Sequence, residues 1–459
     1  MTKKAKVIMV ALTGILIVAA SLALLYWFVF RASLKPNKPV KATLKYFIDP
    51  QINATDNALV AKTLEVCLTQ AECQQVNDKA SADLVVSAQQ QDGYEPLALS
   101  ATPQPQELVN DVIVQKKDSA RLYMYSNSSA DRLRTELISA FKNAAQKQVA
   151  WSLNVAGDII IGRTVYEQQM RRNDYTSSFA LVKDMLASAD YTVADAEWTA
   201  ADGIAHPLVG MSFSSPEKSL EGLSYAGIDA VSLANNHSMN GGVDAFERMM
   251  ASLSARKIGY FGAGKNYAEA HTPYIAEVKG VKVAFLGYTS IPGNYEASNS
   301  TTGNAFIKIA PWYPFTEADV AQMEQDIRLA KTKADVVIPY FHWSQEYIHQ
   351  PNEQMRSVAH RAIDAGATMV VGSHPHWVQG IEWYKDSLIA YSLGNFVFDQ
   401  EQMLKTKQGV VLNADFNGAK LVGAKLIPIQ IEQYFQPHIL DGAAKQGVLN
   451  DIFVNSFWR

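Results

Sequence analysis

Cysteine is scarce: Cys67 and Cys73 are the only two in 459 residues. A disulfide-stapled small scaffold and an all-thiolate zinc site are thereby excluded. The pair reads either as one disulfide formed in an oxidising compartment or as two unrelated buried thiols. An excess of positive charge is also missing, because 41 Lys and Arg stand against 45 Asp and Glu, a formal net charge of -4. No basic face exists to neutralise a phosphate backbone, so nucleic acid is excluded as a partner. Internal repeats and low-complexity tracts are absent. What remains is a globular composition, 48% hydrophobic and 19% charged, in a chain longer than one core usually serves, so two domains plus attachments are expected.

One long apolar run is present. Lys3, Lys4 and Lys6 precede an uncharged stretch from Val7 to Phe30, long enough to cross a bilayer as a helix of roughly 20 residues. Tyr26, Trp27 and Phe28 suit an interfacial aromatic belt. A cleaved signal peptide would have a shorter apolar core and a small-residue cleavage site after it, so an uncleaved anchor over 1–31 is the preferred reading. Arg31, Lys35, Lys38 and Lys41 follow the run, and charge asymmetry alone does not set its orientation. Residues 32–41, with Pro36 and Pro39, read as an extended stalk.

Residues 42–147 have the texture of a small α/β domain. Short strands are expected at Thr43–Ile48, Asp83–Ala88, Asp111–Val114 and Leu122–Ser126, with helices near Asn57–Thr69 and Ala130–Lys147. No chemical motif is apparent there. From 148 to 435, long apolar runs alternate with helical patterns, which is how a sheet covered by helices reads. One helix, about Glu353–Ala365, carries Met355, Val358, Ala359, Ala362 and Ile363 on one face, with Gly366 as its stop signal. His360 falls off that stripe and reads as surface, and His206, His271, His349 and His438 read as loop or surface histidines. Gly409–Phe416 and Leu421–Ile431 would form a hairpin completing a second sheet, giving a layered α/β sandwich. The tail, 436–459, either packs back or meets a partner.

The chemistry gathers at strand ends. Runs that read as buried strands close in Gly157-Asp158, Asp195-Ala196-Glu197, Asn235-Asn236-His237, His342 and Gly372-Ser373-His374-Pro375-His376, and ligands of open α/β sheets bind outside the carboxyl ends of the strands. Pro375 is expected to keep His374 extended, with both histidines reaching one centre from a loop. Asp158, Glu197, Asn236, His342, His374 and His376 form a mixed oxygen and nitrogen set suited to manganese, iron or zinc rather than calcium. Six ligands exceed the needs of one open catalytic ion. A pair about 3.5–4 Å apart, bridged by Glu197, is the economical reading, with a shared water of lowered pKa. His237 is then free to protonate a leaving group. Arg163 either grips an anionic substrate group or forms a surface salt bridge. Asn395, after Gly394, reads as part of a turn.

These residues carry a resemblance. Gly157-Asp158 with Gly162-Arg163, Ala234-Asn235-Asn236-His237 with Gly241-Gly242, Gly262-Ala263-Gly264, His342-Trp343 with Glu346-Tyr347, Gly372-Ser373-His374-Pro375-His376 and Tyr391-Ser392-Leu393-Gly394-Asn395-Phe396 look like the bacterial capsule-synthesis protein CapA family. The resemblance covers about Val149 to Phe416. It implies a calcineurin-like metallophosphoesterase fold, a four-layered α/β/β/α sandwich with a two-metal centre, whose ligands map onto Asp158, Asn236, His342, His374 and His376. It also implies His237 acting on the leaving group and a role in poly-γ-glutamate or related capsule assembly outside the cytoplasm. An anionic surface polymer or its precursor, the membrane and a capsule synthase complex are the implied partners.

The chain departs from the pattern in two places. Asp195-Ala196-Glu197 stands where the family has Asn-Leu-Glu, and Asn240 stands where it has an Asp. No histidine follows two residues after Asp158, so a mononuclear site is the alternative to a pair. Asp195 is a candidate to replace the lost carboxylate beside His237. The functional expectation is a metal-dependent hydrolase or transfer protein, directed at phosphoester or γ-glutamyl amide bonds. A non-catalytic assembly or export component with a structural metal site is the other reading.

Overall fold

The computed structural model describes residues 43–48, 72–75, 84–87, 95–96, 112–113, 123–126, 150–385 and 387–457. The expected anchor, the stalk, both helices of the 42–147 segment and Cys67 lie outside them. Among the described residues no helix is long and apolar enough to cross a membrane. The expected strands of the early segment are present as Thr43–Ile48, Leu84–Ser87, Val112–Ile113 and Tyr123–Ser126. Glu72–Gln75, Thr43–Ile48, Leu84–Ser87, Tyr123–Ser126 and Glu95–Pro96 lie in that order in one five-stranded sheet.

Two larger sheets follow, and the strand-end motifs are divided between them. The first runs Gly259–Phe261, Ala230–Ser232, Tyr191–Ala196, Ala150–Ile159, Gln408–Asn417, Lys420–Glu432, Gln436–Ile439. Asn395–Val397 also pairs with Ala150–Ile159, and Val112–Ile113 with Lys420–Glu432. The second runs Tyr274–Val278, Val281–Thr289, Val336–His342, Met369–Ser373, Ser387–Ala390, Ile381–Tyr384. The hairpin expected to complete a second sheet forms, with Phe416 opposite Leu421, but it extends the sheet of Ala150–Ile159 instead.

Strand periodicity explains both the packing and the site. Val336, Ile338 and Tyr340 join one apolar cluster while Val337 and Phe341 join another, the period-2 alternation of a strand buried on both faces. The first cluster also holds Leu153, Val155, Val193 and Leu412 from the other sheet, so it fills the space between the sheets. Ala156, Ala194 and Val411 belong instead to a cluster with Leu223, Phe246 and Met249 of the helices Glu221–Ala226 and Val243–Ala255. Val337 and Phe341 pack with the helices Glu317–Lys331 and Glu353–Asp364. Each fully buried Val or Leu contributes about 1.5–3 kcal/mol of transfer free energy.

The same parity carries forward to the chemistry. His342 continues the row Val336, Ile338, Tyr340; Asp195 follows Val193; and Ser373 follows Val371, all on the face between the sheets. The close approach of the sheets needs glycine at Gly157, where a Cβ would stand 1.9 Å from the Gly394 carbonyl oxygen.

The helix Glu353–Asp364 buries the five residues read from the sequence, and Gly366 ends it at φ 117. Two of the histidines read as surface are paired instead. His360 Nε2 meets the buried Glu382 at 2.9 Å, and His271 Nδ1 meets Asp326 at 2.7 Å. The tail packs back. Gln436–Ile439 adds to the first sheet, and the helix Gly442–Val454 buries Val448, Leu449, Ile452 and Phe453 in the inter-sheet cluster.

Candidate metal centre

Asp158, Asp195, Glu197, His342 and His374 are all buried at the carboxyl ends of their strands. Donor atoms of Asp158, Asp195, Glu197 and His342 lie within 4.8 Å of one another, and so do those of Glu197, His342 and His374. That spacing is compatible with ligands held about 2.0–2.2 Å from a shared ion. Of the six residues expected as ligands, the structure therefore gathers Asp158, Glu197, His342 and His374 tightly. Asn236 joins them through its Oδ1, 2.7 Å from His342 Nε2. His376 lies at the flank, its Nδ1 2.8 Å from Asn395 Oδ1 and 3.4 Å from Asp158 Oδ2.

The hydrogen-bond pattern tests whether an ion fits. His342 Nδ1 meets Asp195 Oδ2 at 2.7 Å, which places the imidazole proton there and leaves Nε2 as a lone pair. That lone pair faces Asn236 Oδ1, His374 Nδ1 at 3.1 Å and Glu197 Oε1 at 3.6 Å. Both Glu197 oxygens and His374 Nε2 are buried without a hydrogen-bond partner. Asn236 Oδ1, His342 Nε2 and the two Glu197 oxygens are acceptor atoms gathered with few donors among them. Buried polar groups are normally satisfied, and a cation would satisfy this set.

The electrostatics agree. Burial, then the neighbouring Asp158 and Asp195 carboxylates, pushes the Glu197 carboxyl well above its ordinary range. Burial takes the Asp195 carboxyl up to about 7 and the His342 imidazole down to about 3. His374 is driven well below the usual value, first by burial and then by His342 and His376. Burial opposes the charged form of His376, yet the Asp158 carboxylate beside it raises it overall. A positive ion would relieve the carboxylates and take His342 and His374 in the neutral form they already prefer.

The loop geometry differs from expectation at His374. The extended backbone that Pro375 favours is not adopted: φ is 91 at His374 and 57 at His376. The His374 backbone N–H points at Asp158, 3.3 and 3.4 Å from its two carboxylate oxygens, and this contact competes with the preference that proline imposes. Left-handed backbone at non-glycine residues costs about 1–3 kcal/mol each and collects at functional sites.

His237 has a separate arrangement. Its Nδ1 donates to Asn240 Oδ1 at 2.9 Å, and the same oxygen accepts the Phe213 N–H at 2.7 Å, so the amide oxygen and not its nitrogen faces the ring. Nε2 is then the unprotonated ring nitrogen. Burial lowers His237 to about 3, with Asn240 only partly opposing it. Asp195 does not replace a carboxylate beside His237, because its oxygens serve Asn235, His342 and Ser373. Arg163 is already paired with Asp399 and lies over Phe213 and Phe398, while its Nε has no partner.

Sequence reasoning missed Asp399 and Phe213 and read too little into Asn395. Asn395 is no mere turn: its Nδ2 donates to Gln400 and to the Thr406 carbonyl, which turns its oxygen toward His376. Asp399, Phe213 and Asn240 position Arg163 and His237. Asn240 and Asn395 carried signals in the sequence, the first as a departure from the family pattern near His237 and the second within a motif of the resemblance, whereas Asp399 and Phe213 carried none.

An α/β protein with a buried His/Asp/Glu cluster that could hold a metal ion is the class that fold and site define. Residues 152–400 match the family model "Bacterial capsule synthesis protein PGA_cap". The chain belongs to that family. It is 28% identical over 315 residues to "Capsule biosynthesis protein CapA" of Bacillus anthracis, covering 65% of this chain and 72% of that protein. It is 32% identical over 259 residues to "PGA biosynthesis protein CapA" of Bacillus subtilis (strain 168), covering 54% of this chain and 63% of that one. A solved hypothetical protein of Thermus thermophilus is similar at 15% identity over 61% of this chain and 99% of its own, with a TM-score of 0.40, a likeness that carries no argument.

Proposed function

We propose that the chain is a metal-dependent hydrolase or transfer protein of capsule biosynthesis, tethered to the membrane by Val7–Phe30 and acting outside the cytoplasm on poly-γ-glutamate or a related anionic surface polymer. We read its two sheets and their helices as a four-layered α/β/β/α core of metallophosphoesterase type. One or two manganese, iron or zinc ions would be held by Asp158, Glu197, Asn236, His342, His374 and His376. Bound there, a divalent ion supplies a water of lowered pKa and polarises a phosphoryl or carbonyl oxygen. His237, unprotonated at Nε2 and fixed by Asn240, would accept a hydrogen bond or a proton beside that centre. Arg163, whose buried Nε has no hydrogen-bond partner, would be the cation that meets an anionic group.

The observation that carries this reading is the set of acceptor atoms, led by the two unpartnered Glu197 oxygens, facing His342 and His374. The capsule role rests on family membership and on the names of the two CapA relatives. The test is metal content of the purified chain, with turnover of a phosphodiester and of a γ-glutamyl peptide in added manganese or zinc. Bound metal with turnover that His237→Ala removes, metal content unchanged, supports the enzyme. Bound metal with no turnover on either substrate moves the reading to an assembly or export component whose metal is structural.

A further inference from the structure

We propose that Asp195 is a positioning residue that fixes the His342 tautomer for metal binding through Nε2, and is not itself a ligand. The inference rests on the metal-centre reading above and deepens it. Proximity alone would count Asp195 among the ligands, since one of its carboxylate oxygens lies within 4.8 Å of the ligand atoms of Asp158, Glu197 and His342. Its hydrogen bonds assign it otherwise. Oδ1 accepts Asn235 Nδ2 at 2.9 Å, while Oδ2 accepts His342 Nδ1 at 2.7 Å and Ser373 Oγ at 3.1 Å. Both oxygens are committed, in contrast to Glu197, whose oxygens have no hydrogen-bond partner.

The donors around Asp195 are themselves fixed. Asn235 Oδ1 accepts the backbone N–H groups of His237 and Ser238, at 3.1 and 2.8 Å, so its amide nitrogen must face Asp195 and the Ala196 carbonyl. Asn235 thus ties Asp195 to the turn that presents Asn236 and His237. Ser373 ends the strand beside Val336–His342, in register with His342. One carboxylate therefore joins three strand ends and leaves His342 a single tautomer, with its hydrogen on Nδ1 and its lone pair on Nε2, toward Glu197, Asn236 and His374. Metal-ligating histidines commonly donate their other N–H to a carboxylate, and loss of that partner weakens metal binding about 10–100-fold.

Asp195→Asn is the decisive variant because it keeps the shape and removes one acceptor. Asn has one oxygen for two sets of donors, so its NH2 must confront either Asn235 Nδ2 or His342 Nδ1. If it confronts His342, the ring takes the opposite tautomer and Nε2 carries the hydrogen. Manganese and zinc, each alone, are titrated by calorimetry into the metal-free full chain, its Asp195→Asn and Ser373→Ala variants, His342→Gln, and the Asp195→Asn/His342→Gln double variant. Histidine-labelled metal-free protein gives the His342 tautomer from its imidazole nitrogen shifts, assigned by the resonance that His342→Gln removes.

The expected result is a 10–100-fold weaker dissociation constant for Asp195→Asn, a loss of about threefold or more for Ser373→Ala, and an inverted tautomer in Asp195→Asn without metal. In the His342→Gln background, Asp195→Asn should weaken binding no further than about twofold, because its effect passes through His342. Wild-type affinity in Asp195→Asn, or an equal loss added on top of His342→Gln, would overturn the proposal, the latter marking Asp195 as a direct ligand. If Asp195→Asn does not fold, Ser373→Ala decides, and wild-type affinity there overturns the proposal. Failure of the wild-type chain to bind either metal would instead overturn the metal-centre reading on which the proposal stands.

Discussion

Replacing Glu197 with Gln should make the metal-free protein more stable and at the same time remove its stabilisation by metal. Both Glu197 oxygens are buried without a hydrogen-bond partner, and the charges that act on them are the carboxylates of Asp158, Asp195 and Glu346. An uncompensated buried charge costs about 3–5 kcal/mol, and the neutral amide avoids it. Gln also brings an NH2 that can donate to the surrounding acceptors, so a gain on the order of 3 kcal/mol is expected at about pH 8.

The sign with pH follows from the shift. Burial raises the folded-state pKa of Glu197, so its contribution favours the metal-free fold below the ordinary carboxylate range and is lost as pH rises through the folded value. The advantage of Gln should therefore be larger at about pH 8 than at about pH 5. In the wild-type chain, metal at a hundredfold excess over its dissociation constant adds about 2.7 kcal/mol per site, whereas the variant should gain little. Thermal denaturation with chelator and with manganese, at both pH values, reads all four quantities. A metal-free Glu197→Gln protein less stable than wild type, with metal stabilisation intact, would refute the reasoning.

Metal binding should release protons from Asp195, Glu197 and His376 rather than from His237 and His342, because Asp195 sits at about 7 and Glu197 and His376 are raised, while His237 and His342 are already neutral above about 3. Affinity should then fall as pH drops from about 8 to about 6, at most about tenfold per pH unit for each proton displaced, as calorimetry in buffers of different ionisation enthalpy would show. Asn240→Asp places an ionised partner behind His237 and should raise its pKa, shifting the pH profile of any turnover to higher pH with metal content unchanged. Gly157→Ala drives a Cβ to 1.9 Å from the Gly394 oxygen, and a loss of about 3 kcal/mol or more in denaturant unfolding is expected, together with weakened metal binding at Asp158. Asp399→Ala frees the Arg163 guanidinium, and a changed KM for an anionic substrate with kcat unaltered would identify that arginine as a substrate contact.

The sequence by itself determined the strands and the side chains at their ends. Apolar runs such as Val336–Phe341 and Met369–Val371 have to be buried on both faces, and a polar residue at the end of such a run has to sit at the sheet edge. That logic placed Asp158, Glu197, Asn236, His342 and His374 together without any coordinates, and helical periodicity likewise gave the buried face of Glu353–Asp364. Tertiary structure decided which sheet each strand joins, because hairpin pairing through Gln408–Asn417 can complete either sheet and pattern alone does not distinguish them. It also decided every long-range partner. Asp195 faces His342 across 147 positions of sequence, Arg163 meets Asp399 across 236, and His271 and His360 find Asp326 and Glu382. Strand parity fixes the face on which a side chain emerges. Only the packing of one sheet over the other determines what it meets there, and hydrogen bonds over a few ångströms are set by that packing.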